Sequence, residues 1–319
     1  MMSSSLPHIL VIRSGGLGDF VLTLPVLSAV KERWPKASLH VLGHTEIAET
    51  ARLAGVVDQI RSIDSFDLSP LFSGLPGGGN RRERAESYLR GFDIVISFLR
   101  DTEDHFSANL RRLGVQEYLV PPARSEALHA TQQFFRSLSG LGLKPEFEYP
   151  RLSPPASACE EVRQMLAVAA VQNHTTLVAI HPGSGSKTKN WPLEHYFEVI
   201  QWVAEQPGLY PILLTGEADG EIHERMEVDP RIVNCPHFPS PALPVLVALL
   251  QRCGVFLGND SGVGHLAAAS GIPVISLFGA TSPQVWKPLG QKVRVINFSE
   301  ASVDRVCREL AQILGRGEG

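Results

Sequence analysis

Four cysteines are all that this 319-residue chain contains, at positions 159, 235, 253 and 307. No C-x-x-C pair occurs among them, which argues against a structural zinc site and against a disulfide framework. We interpret them as buried free thiols of a protein from a reducing compartment. Aromatic residues are also few, at 7% of the chain, but the hydrophobic content of 44% is ample for a buried core. The length favours two domains over one.

Long hydrophobic runs are absent as well, since no stretch reaches the roughly 18 to 20 consecutive apolar residues that a membrane-spanning helix needs. The N-terminal segment 1–19 lacks the basic start of a secretory signal, and Arg13 interrupts its short apolar run. We therefore expect a cytoplasmic protein whose chain begins with a strand. The net charge of −4 and the lack of a recognisable nucleic-acid-binding module indicate no nucleic-acid partner.

Short apolar strands alternate with helical stretches along the whole chain, which is typical of parallel sheets covered by helices on both faces. A Pro-rich segment at 145–157 separates two such series and is the best candidate for a linker. The sequence therefore predicts an α/β protein of two doubly wound halves with a cleft between the carboxyl ends of their sheets. The strands are predicted at 8–14, 38–44, 57–63, 92–98, 115–120, 177–183, 210–216, 231–236, 255–259, 273–279 and 292–298.

A glycine-rich turn, SGGLGD (14–19), follows the first predicted strand. It is not a dinucleotide-binding fingerprint, because Val21 stands where the third glycine of G-x-G-x-x-G belongs. Gly16 and Gly18 would let the backbone pass close to a ligand. Asp19 then comes at the start of a helix, and capping that helix could be its whole role. A carboxylate that faces the cleft beside glycines could equally be a general base.

A second motif, HPGSGSKTKNWP (181–192), also follows a strand and leads into a helix. Ser184, Gly185 and their neighbours offer hydroxyl and backbone donors, and Lys187 and Lys189 offer positive charge. Donors and a cation just before a helix favour an anion such as phosphate. The motif is not a Walker loop. A solvated loop with incidental lysines is the alternative, which the preceding apolar strand disfavours.

The third motif is LGNDSGVGH (257–265), a strand end that runs into a helix of small residues. Free N–H groups and the helix dipole near Gly262 favour an anion. Asp260 would repel a phosphate, so we expect its carboxylate to take sugar or ribose hydroxyls instead. The alternatives are that Asp260 or Ser261 only caps the helix and that His265 is a core histidine.

Two weaker features complete the candidate site. Glu217 follows the strand that ends at Gly216 and could bind ribose hydroxyls, and Thr281 follows a further strand and offers a hydroxyl donor. Either residue could also be a helix cap. There is no metal-ligand spacing and no Asp-x-Asp pair for a divalent cation, so no metal and no cofactor are expected. The charge of a leaving phosphate would have to be met by Lys189, Ser184 and helix N–H groups.

Together these motifs resemble glycosyltransferase family 9, the lipopolysaccharide heptosyltransferases. GGLGD before an apolar helix with TLP, HPGSGSKTKNWP, GNDSGVGHLAAASGIPVISLFG and ATSP occur in the family's order and span essentially the whole chain. The resemblance implies the GT-B fold, with two doubly wound Rossmann-like domains that face each other across a cleft. Residues 1–150 would form the acceptor-binding domain and 151–319 the nucleotide-sugar-binding domain, and the last helix (about 302–315) could pack back on the first.

The resemblance also implies an inverting, metal-independent glycosyl transfer. Asp19 matches the general base that takes the proton of the acceptor hydroxyl, and Lys189 matches the lysine that holds the diphosphate. The donor-binding residues that the resemblance implies are Ser184, Gly185, Lys189, Glu217, Asp260, Ser261, Gly262, His265 and Thr281.

The implied partners are a nucleotide-sugar donor, ADP-heptose, and a lipid-linked core oligosaccharide acceptor at the cytoplasmic face of the inner membrane. This acceptor implies peripheral membrane contact. The Gly- and Arg-rich loop 77–84 and four further arginines could grip acceptor phosphates, although solvated surface charge is the common alternative. These four are Arg100, Arg111, Arg112 and Arg124. The Pro-rich segment 235–243 departs from the family's adenine-contacting segment.

Other function classes share parts of this pattern. A sugar-nucleotide 2-epimerase has the same architecture but would consume the donor without an acceptor. A non-catalytic nucleotide-sugar-binding protein is a further alternative, although it would have no need of a carboxylate at Asp19. A nicotinamide-dependent dehydrogenase is disfavoured by the broken glycine fingerprint.

Overall fold

The computed structural model divides the chain into two compact units, Met1–Glu148 and Tyr149–Gly319. The residues that it describes are 6–73, 79–120, 125–136, 138–143, 148–149, 151–172, 174–217, 219–226, 229–232 and 234–316. Part of the predicted linker, 145–147 and 150, lies outside these residues, as does Arg124. No helix in this part of the chain is long and apolar enough to cross a membrane.

The first unit is an open, five-stranded parallel sheet in the order β3-β2-β1-β4-β5. Its strands are β1 (His8–Arg13), β2 (Ser38–Gly43), β3 (Gln59–Ser62), β4 (Ile94–Ser97) and β5 (Glu117–Leu119). Its helices are α1 (Leu17–Val21), α2 (Leu24–Arg33), α3 (Thr45–Leu53), α4 (Ser69–Phe72), α5 (Asn80–Leu89), α6 (His105–Arg112) and α7 (Ala130–Arg136). Because the first strand is central, the loop after it lies in the middle of the carboxyl edge of the sheet.

The central strand of this unit is buried on both faces. Leu10 and Ile12 pack in a core with residues of α4, α5 and α6, and Ile9 and Val11, which point to the opposite face, are also buried. Successive side chains of a strand alternate between faces, so helices must cover both. The continuous apolar run in the sequence therefore predicted a buried parallel strand correctly.

The helix predicted from residue 20 onwards is divided in two. One helix, α1, ends at Val21, and α2 begins at Leu24 after a turn in which the Thr23 amide donates to Phe20 O. Pro25 explains the break, because it has no N–H to donate to Val21 and its ring would collide with that carbonyl. The short α1 is therefore an independent element that carries Asp19.

The second unit is an open, six-stranded parallel sheet in the order β11-β10-β9-β6-β7-β8. Its strands are β6 (Thr176–His181), β7 (Leu209–Thr215), β8 (His237–Pro239), β9 (Cys253–Asn259), β10 (Val274–Phe278) and β11 (Val293–Asn297). Its helices are α8 (Ala156–Val168), α9 (Leu193–Glu205), α10 (Gly220–Met226), α11 (Leu243–Gln251), α12 (Gly262–Ala269), α13 (Pro283–Trp286) and α14 (Val303–Ile313). The three strands before the candidate donor motifs, β6, β9 and β10, are neighbours.

The strand predicted at 231–236 is wrong. Arg231 is held by ion pairs to Asp229 and Glu194, and the Ile232 and Cys235 amides donate to carbonyls three residues back, which is a turn pattern. The edge strand of the sheet forms later, as β8, which pairs with the end of β7. The apolar residues of 231–236 therefore belong to a turn that a charged cluster holds.

The last helix, α14, has a strongly amphipathic sequence and packs against α9. Val306, Cys307 and Leu310 are buried in the core of the second unit with residues of α9. The prediction of buried thiols is confirmed for Cys253 and Cys307, but Cys235 is only half-buried and Cys159 is exposed on α8. All four cysteines are free thiols.

Candidate functional site

Asp19 is fixed at the carboxyl edge of the first sheet by an arginine. Arg13, the last residue of β1, donates from Nη2 to Oδ1 of Asp19 at 2.9 Å and to its backbone carbonyl at 3.2 Å. The Thr23 hydroxyl donates to the same carbonyl at 2.8 Å. The Asp19 side chain is 32% exposed, whereas that of Arg13 is 9% exposed. Arg13 thus orients the Asp19 carboxylate, while the Asp19 side chain remains partly exposed to solvent.

Two aromatic rings hold the Arg13 guanidinium. Its central carbon lies 4.9 Å from the ring centre of Phe98 and 4.8 Å from that of Phe134. A cation close to aromatic rings gains from the ring quadrupole, most of all when it is shielded from water. The guanidinium therefore has little freedom to turn away from Asp19.

Asp19 does not cap its helix. The N-cap of α1 is Gly16, which has no side chain to cap with, and Asp19 is the third residue of the helix. A Cβ on Gly16 would meet nothing within 4 Å, so no neighbouring protein atom requires glycine there, and the approach of this backbone to a ligand stays a prediction. A Cβ on Gly15, however, would lie 2.8 Å from Cβ and 3.1 Å from Oδ2 of Asp19. Gly18 lies within α1.

With Asp19 as the general base that the resemblance implies, replacing Gly15 with alanine is expected to lower turnover by about 10- to 100-fold, because the new methyl group displaces the Asp19 carboxylate. Gly16→Ala is the matched control, since that position has space and an ordinary φ of −66°. Steady-state rates of both variants check this. Equal rates for the two would show that the position of Asp19 does not depend on Gly15.

In the second unit, three neighbouring strand ends bring three of the predicted residues together. Lys189 donates to Oδ2 of Asp260 at 2.8 Å, and Thr281 donates to the same oxygen at 2.6 Å. Asp260 is 5% exposed, whereas the Lys189 side chain is 32% exposed. The loops after β6, β9 and β10 are thus joined at one carboxylate, and the Lys189 side chain that binds it is partly exposed.

The start of α12 combines both interpretations of the third motif. Ser261 is the N-cap, and its hydroxyl accepts from the Gly264 amide at 3.4 Å, as the capping alternative requires. Asp260 does not cap the helix. His265 is 4% exposed, and its Nε2 lies 3.9 Å from Oδ1 of Asp260. Gly262 is the first residue of the helix, where backbone N–H groups have no partner within the helix.

The remaining donor-side residues are Ser184, Gly185 and Glu217. The Ser184 hydroxyl lies 2.6 Å from Oδ1 of Asn190 and 2.7 Å from the Ser186 carbonyl, both within its own loop. Gly185 is exposed, and a Cβ on it would meet nothing within 4 Å. Glu217 is exposed just beyond the end of β7.

A buried asparagine connects the second and third motifs. Asn259 is 0% exposed. Its Oδ1 accepts from the Trp191 amide and from the Tyr196 hydroxyl, both at 2.9 Å, and its Nδ2 donates to the Pro182 carbonyl at 2.6 Å. Burial raises the pKa of Tyr196 well above its ordinary value, so the phenol stays protonated and can donate. This side chain holds both ends of the loop that carries Lys189.

Asn259→Ala is expected to lower the free energy of unfolding by at least about 3 kcal/mol, because it leaves three buried polar groups unpaired. Tyr196→Phe removes only one of these hydrogen bonds and is expected to cost about 1 kcal/mol. Denaturant unfolding of the two variants beside the wild type measures the difference. Similar losses for both would show that the asparagine does not organise the loop.

Three of the predicted acceptor arginines lie in the described part of the chain, and they are not brought together; the fourth, Arg124, lies outside it. Arg100 is exposed just after β4, at the carboxyl edge. Arg111 and Arg112 lie in the last turn of α6, and a crossover helix between parallel strands runs back to the amino edge. Arg112 is also paired with Glu86 at 2.6 Å. Of the predicted loop 77–84, residues 77–78 lie outside the described residues, and a helix begins at residue 80.

A family model confirms the resemblance of the motifs. The model of glycosyltransferase family 9 (heptosyltransferase) matches residues 95–312. The chain belongs to glycosyltransferase family 9. This glycosyltransferase is 25% identical over 308 residues to lipopolysaccharide heptosyltransferase 3 of Escherichia coli K12. The alignment covers 86% of the chain and 83% of the relative. It is 28% identical to lipooligosaccharide heptosyltransferase 2 of Haemophilus influenzae, with 94% and 91% covered.

The solved structures confirm the predicted fold class. The structure of E. coli ADP-heptose lipopolysaccharide heptosyltransferase II superposes with a TM-score of 0.77, at 19% identity, and covers 97% of this chain and 99% of that one. At this identity the likeness shows the fold alone. The two open parallel sheets of the glycosyltransferase are those of GT-B enzymes.

Sequence reasoning missed several residues that organise the site of this glycosyltransferase. Arg13 is a charged residue at the end of an apolar strand, and Asn259 is an amide at the end of another, so their positions were visible signals. Nothing in the sequence distinguishes Gly15 from Gly16 and Gly18 in the glycine-rich turn. No pattern in the sequence indicated the contact of Gly15 with Asp19, because it depends on the path of the turn.

Proposed function

We propose that this glycosyltransferase moves a heptose from ADP-heptose to a lipopolysaccharide core acceptor, with inversion and without a metal ion. The names of the relatives support the sugar and the acceptor, and the structural likeness to an E. coli enzyme named for ADP-heptose supports the donor. The observation that carries the chemistry is the Asp19 carboxylate, oriented by Arg13 at the carboxyl edge of the first sheet.

In the proposed reaction, Asp19 takes the proton of the acceptor hydroxyl while that oxygen forms a bond to the anomeric carbon. The bond between the anomeric carbon and the diphosphate oxygen breaks, and its electron pair leaves with ADP. Arg13 supports this role because it holds one carboxylate oxygen and so fixes the direction of the group. A positioned general base contributes typically 10²- to 10⁴-fold to a rate.

On the donor side, we propose that Lys189 and the free N–H groups at the start of α12 bind the diphosphate. The positive charge of the partly exposed Lys189 side chain and the helix dipole both favour an anion. Asp260 would hold Lys189 in place and contact sugar hydroxyls with His265 and Thr281. Ser184, Gly185 and the exposed Glu217 would complete the donor site, with Glu217 at the ribose.

We further propose that the first unit binds the acceptor and the second binds the donor, which the residues of each unit support. Arg100 lies at the same sheet edge as Asp19 and suits a phosphate of the acceptor. A lipid-linked acceptor would bring the enzyme into peripheral contact with the cytoplasmic face of the inner membrane.

The test incubates the purified protein with ADP-heptose and a heptose-deficient core acceptor and measures ADP release and the mass of the acceptor. The expected result is acceptor heavier by one heptose, with inverted anomeric configuration. Donor consumption without acceptor would instead favour a 2-epimerase, and donor binding without turnover would favour a binding protein. Preference for UDP- or GDP-sugars would overturn the assigned donor.

A further inference from the structure

A buried carboxylate lies between the loops that follow β6 and β7. Asp219 is 8% exposed, and its Oδ2 accepts from the Gly216 amide at 2.7 Å. The same oxygen lies 3.4 Å from Nε2 of His181, the last residue of β6. The His181 side chain is itself 6% exposed. Asp219 thus contacts the ends of two neighbouring strands.

The carboxylate also rests directly on the backbone of the donor loop. A Cβ on Gly183 would lie 2.1 Å from Oδ1 and 2.3 Å from Oδ2 of Asp219, so no other residue fits there without displacing the carboxylate. Gly183 is the residue before Ser184 and leads into the turn that carries Lys189. The position of Asp219 therefore affects the loop at its first residues.

The buried Asn259 fixes both ends of this loop, because it accepts from the Trp191 amide and donates to the Pro182 carbonyl. Between Gly183 and Trp191 the chain is largely exposed, with Lys187 and Lys189 on a short 3₁₀ turn. A loop that presents charge to a phosphate binds best when its backbone is ordered beforehand, because ordering on binding costs free energy.

We propose that Asp219 is a positioning residue that braces the donor loop 182–190 through Gly183, His181 and the Gly216 amide. This inference rests on the proposed donor site, since it concerns the order of the loop that carries Lys189. Asp219 acts through the loop and does not contact the diphosphate, because a carboxylate repels a phosphate.

The carboxylate is suited to this role because it remains ionised. Burial by itself raises the pKa of Asp219, but the hydrogen bonds from His181 and from the Gly216 amide, together with nearby His223, outweigh burial and lower the pKa. Hydrogen bonds to an ionised acceptor are stronger than those between neutral groups.

The first test measures hydrogen exchange of the ligand-free protein, so that it does not depend on any substrate. Asp219→Ala is expected to speed exchange in peptides covering 182–190 by about tenfold, with peptides of α12 unchanged. Asp219→Asn keeps the shape and an oxygen for the Gly216 amide, and is expected to speed exchange less than Asp219→Ala, because a neutral amide oxygen accepts more weakly than a carboxylate. Unchanged exchange at 182–190, or a uniform rise across the second unit, would overturn the proposal.

The second test separates bracing from a general loss of fold by kinetics. Asp219→Ala is expected to raise the donor KM about tenfold while the acceptor KM stays unchanged. Gly183→Ala is expected to show the same defect. The double variant Gly183→Ala with Asp219→Ala is expected to be no worse than either single variant, because both substitutions remove the same contact between Asp219 and Gly183. Additive defects, or a fall in kcat alone, would contradict the brace. Wild-type protein without turnover would instead refute the proposed function and leave the exchange result to decide the brace.

Discussion

Replacing Asp19 with asparagine is expected to lower the rate of glycosyl transfer by about 10²- to 10⁴-fold, while binding of the donor nucleotide is unchanged. The amide keeps the size of the side chain and can still accept from Arg13, but it cannot take a proton from the acceptor hydroxyl. Single-turnover rates with saturating donor and acceptor measure the loss, and calorimetry with ADP measures binding.

Asp64→Asn is the matched control for this variant, because its side chain is 75% exposed in the same unit and carries the same charge. It is expected to have wild-type rates. Thermal unfolding of both variants shows whether the fold is intact, since Arg13 is largely buried and loses its charged partner in Asp19→Asn. Full turnover by a folded Asp19→Asn protein would remove Asp19 from the role of general base.

Lys189→Ala is expected to weaken binding of ADP by about 10- to 100-fold. A hydrogen bond to a charged group contributes about 1.5–3 kcal/mol, and each 1.4 kcal/mol is about a tenfold change in affinity. The substitution also removes the ammonium group from Asp260, a carboxylate that is only 5% exposed and then keeps Thr281 as its donor. We therefore also expect a lower melting temperature of the ligand-free protein.

The measurement is a thermal-shift series with ADP, UDP, GDP and ADP-heptose, because a ligand that binds the folded state raises its apparent stability. Lys187→Ala is the control, since Lys187 is exposed on the same 3₁₀ turn and the change in net charge is equal. Selective stabilisation by the ADP compounds, lost with Lys189→Ala but kept with Lys187→Ala, is the expected outcome. Equal shifts in both variants would show that Lys189 does not hold the diphosphate.

Most of the architecture could be predicted from the sequence because local patterns carry it. Continuous apolar strands can be satisfied only inside a sheet covered on both faces, and β1 and β9 are buried as that argument requires. The predicted strand at 231–236 failed because Arg231 is held by ion pairs to Asp229 and to Glu194, a residue of α9 that lies 37 positions away in the sequence.

The candidate site could likewise be predicted only in part, because local motifs indicate its residues but not the contacts between them. Lys189, Asp260 and Thr281 were each predicted from motifs at strand ends, but their joint contact depends on the strand order β10-β9-β6, which brings residues 71 and 21 positions apart to one carboxylate. Arg111 and Arg112 were predicted from charge alone, and the direction of α6 places them at the opposite edge of the sheet from Asp19.

The sequence by itself determined the family, the α/β class and the short motifs, because these depend on residue types and spacings within about a dozen positions. Only the tertiary structure decided which side chains hold those motifs in place. Asn259 across the donor loop and Asp219 on Gly183 are contacts between separate loops, and Arg13 meets Asp19, six positions away, through the path of a single turn. Such contacts follow from strand order and the path of each turn, and these are set by packing of the whole unit.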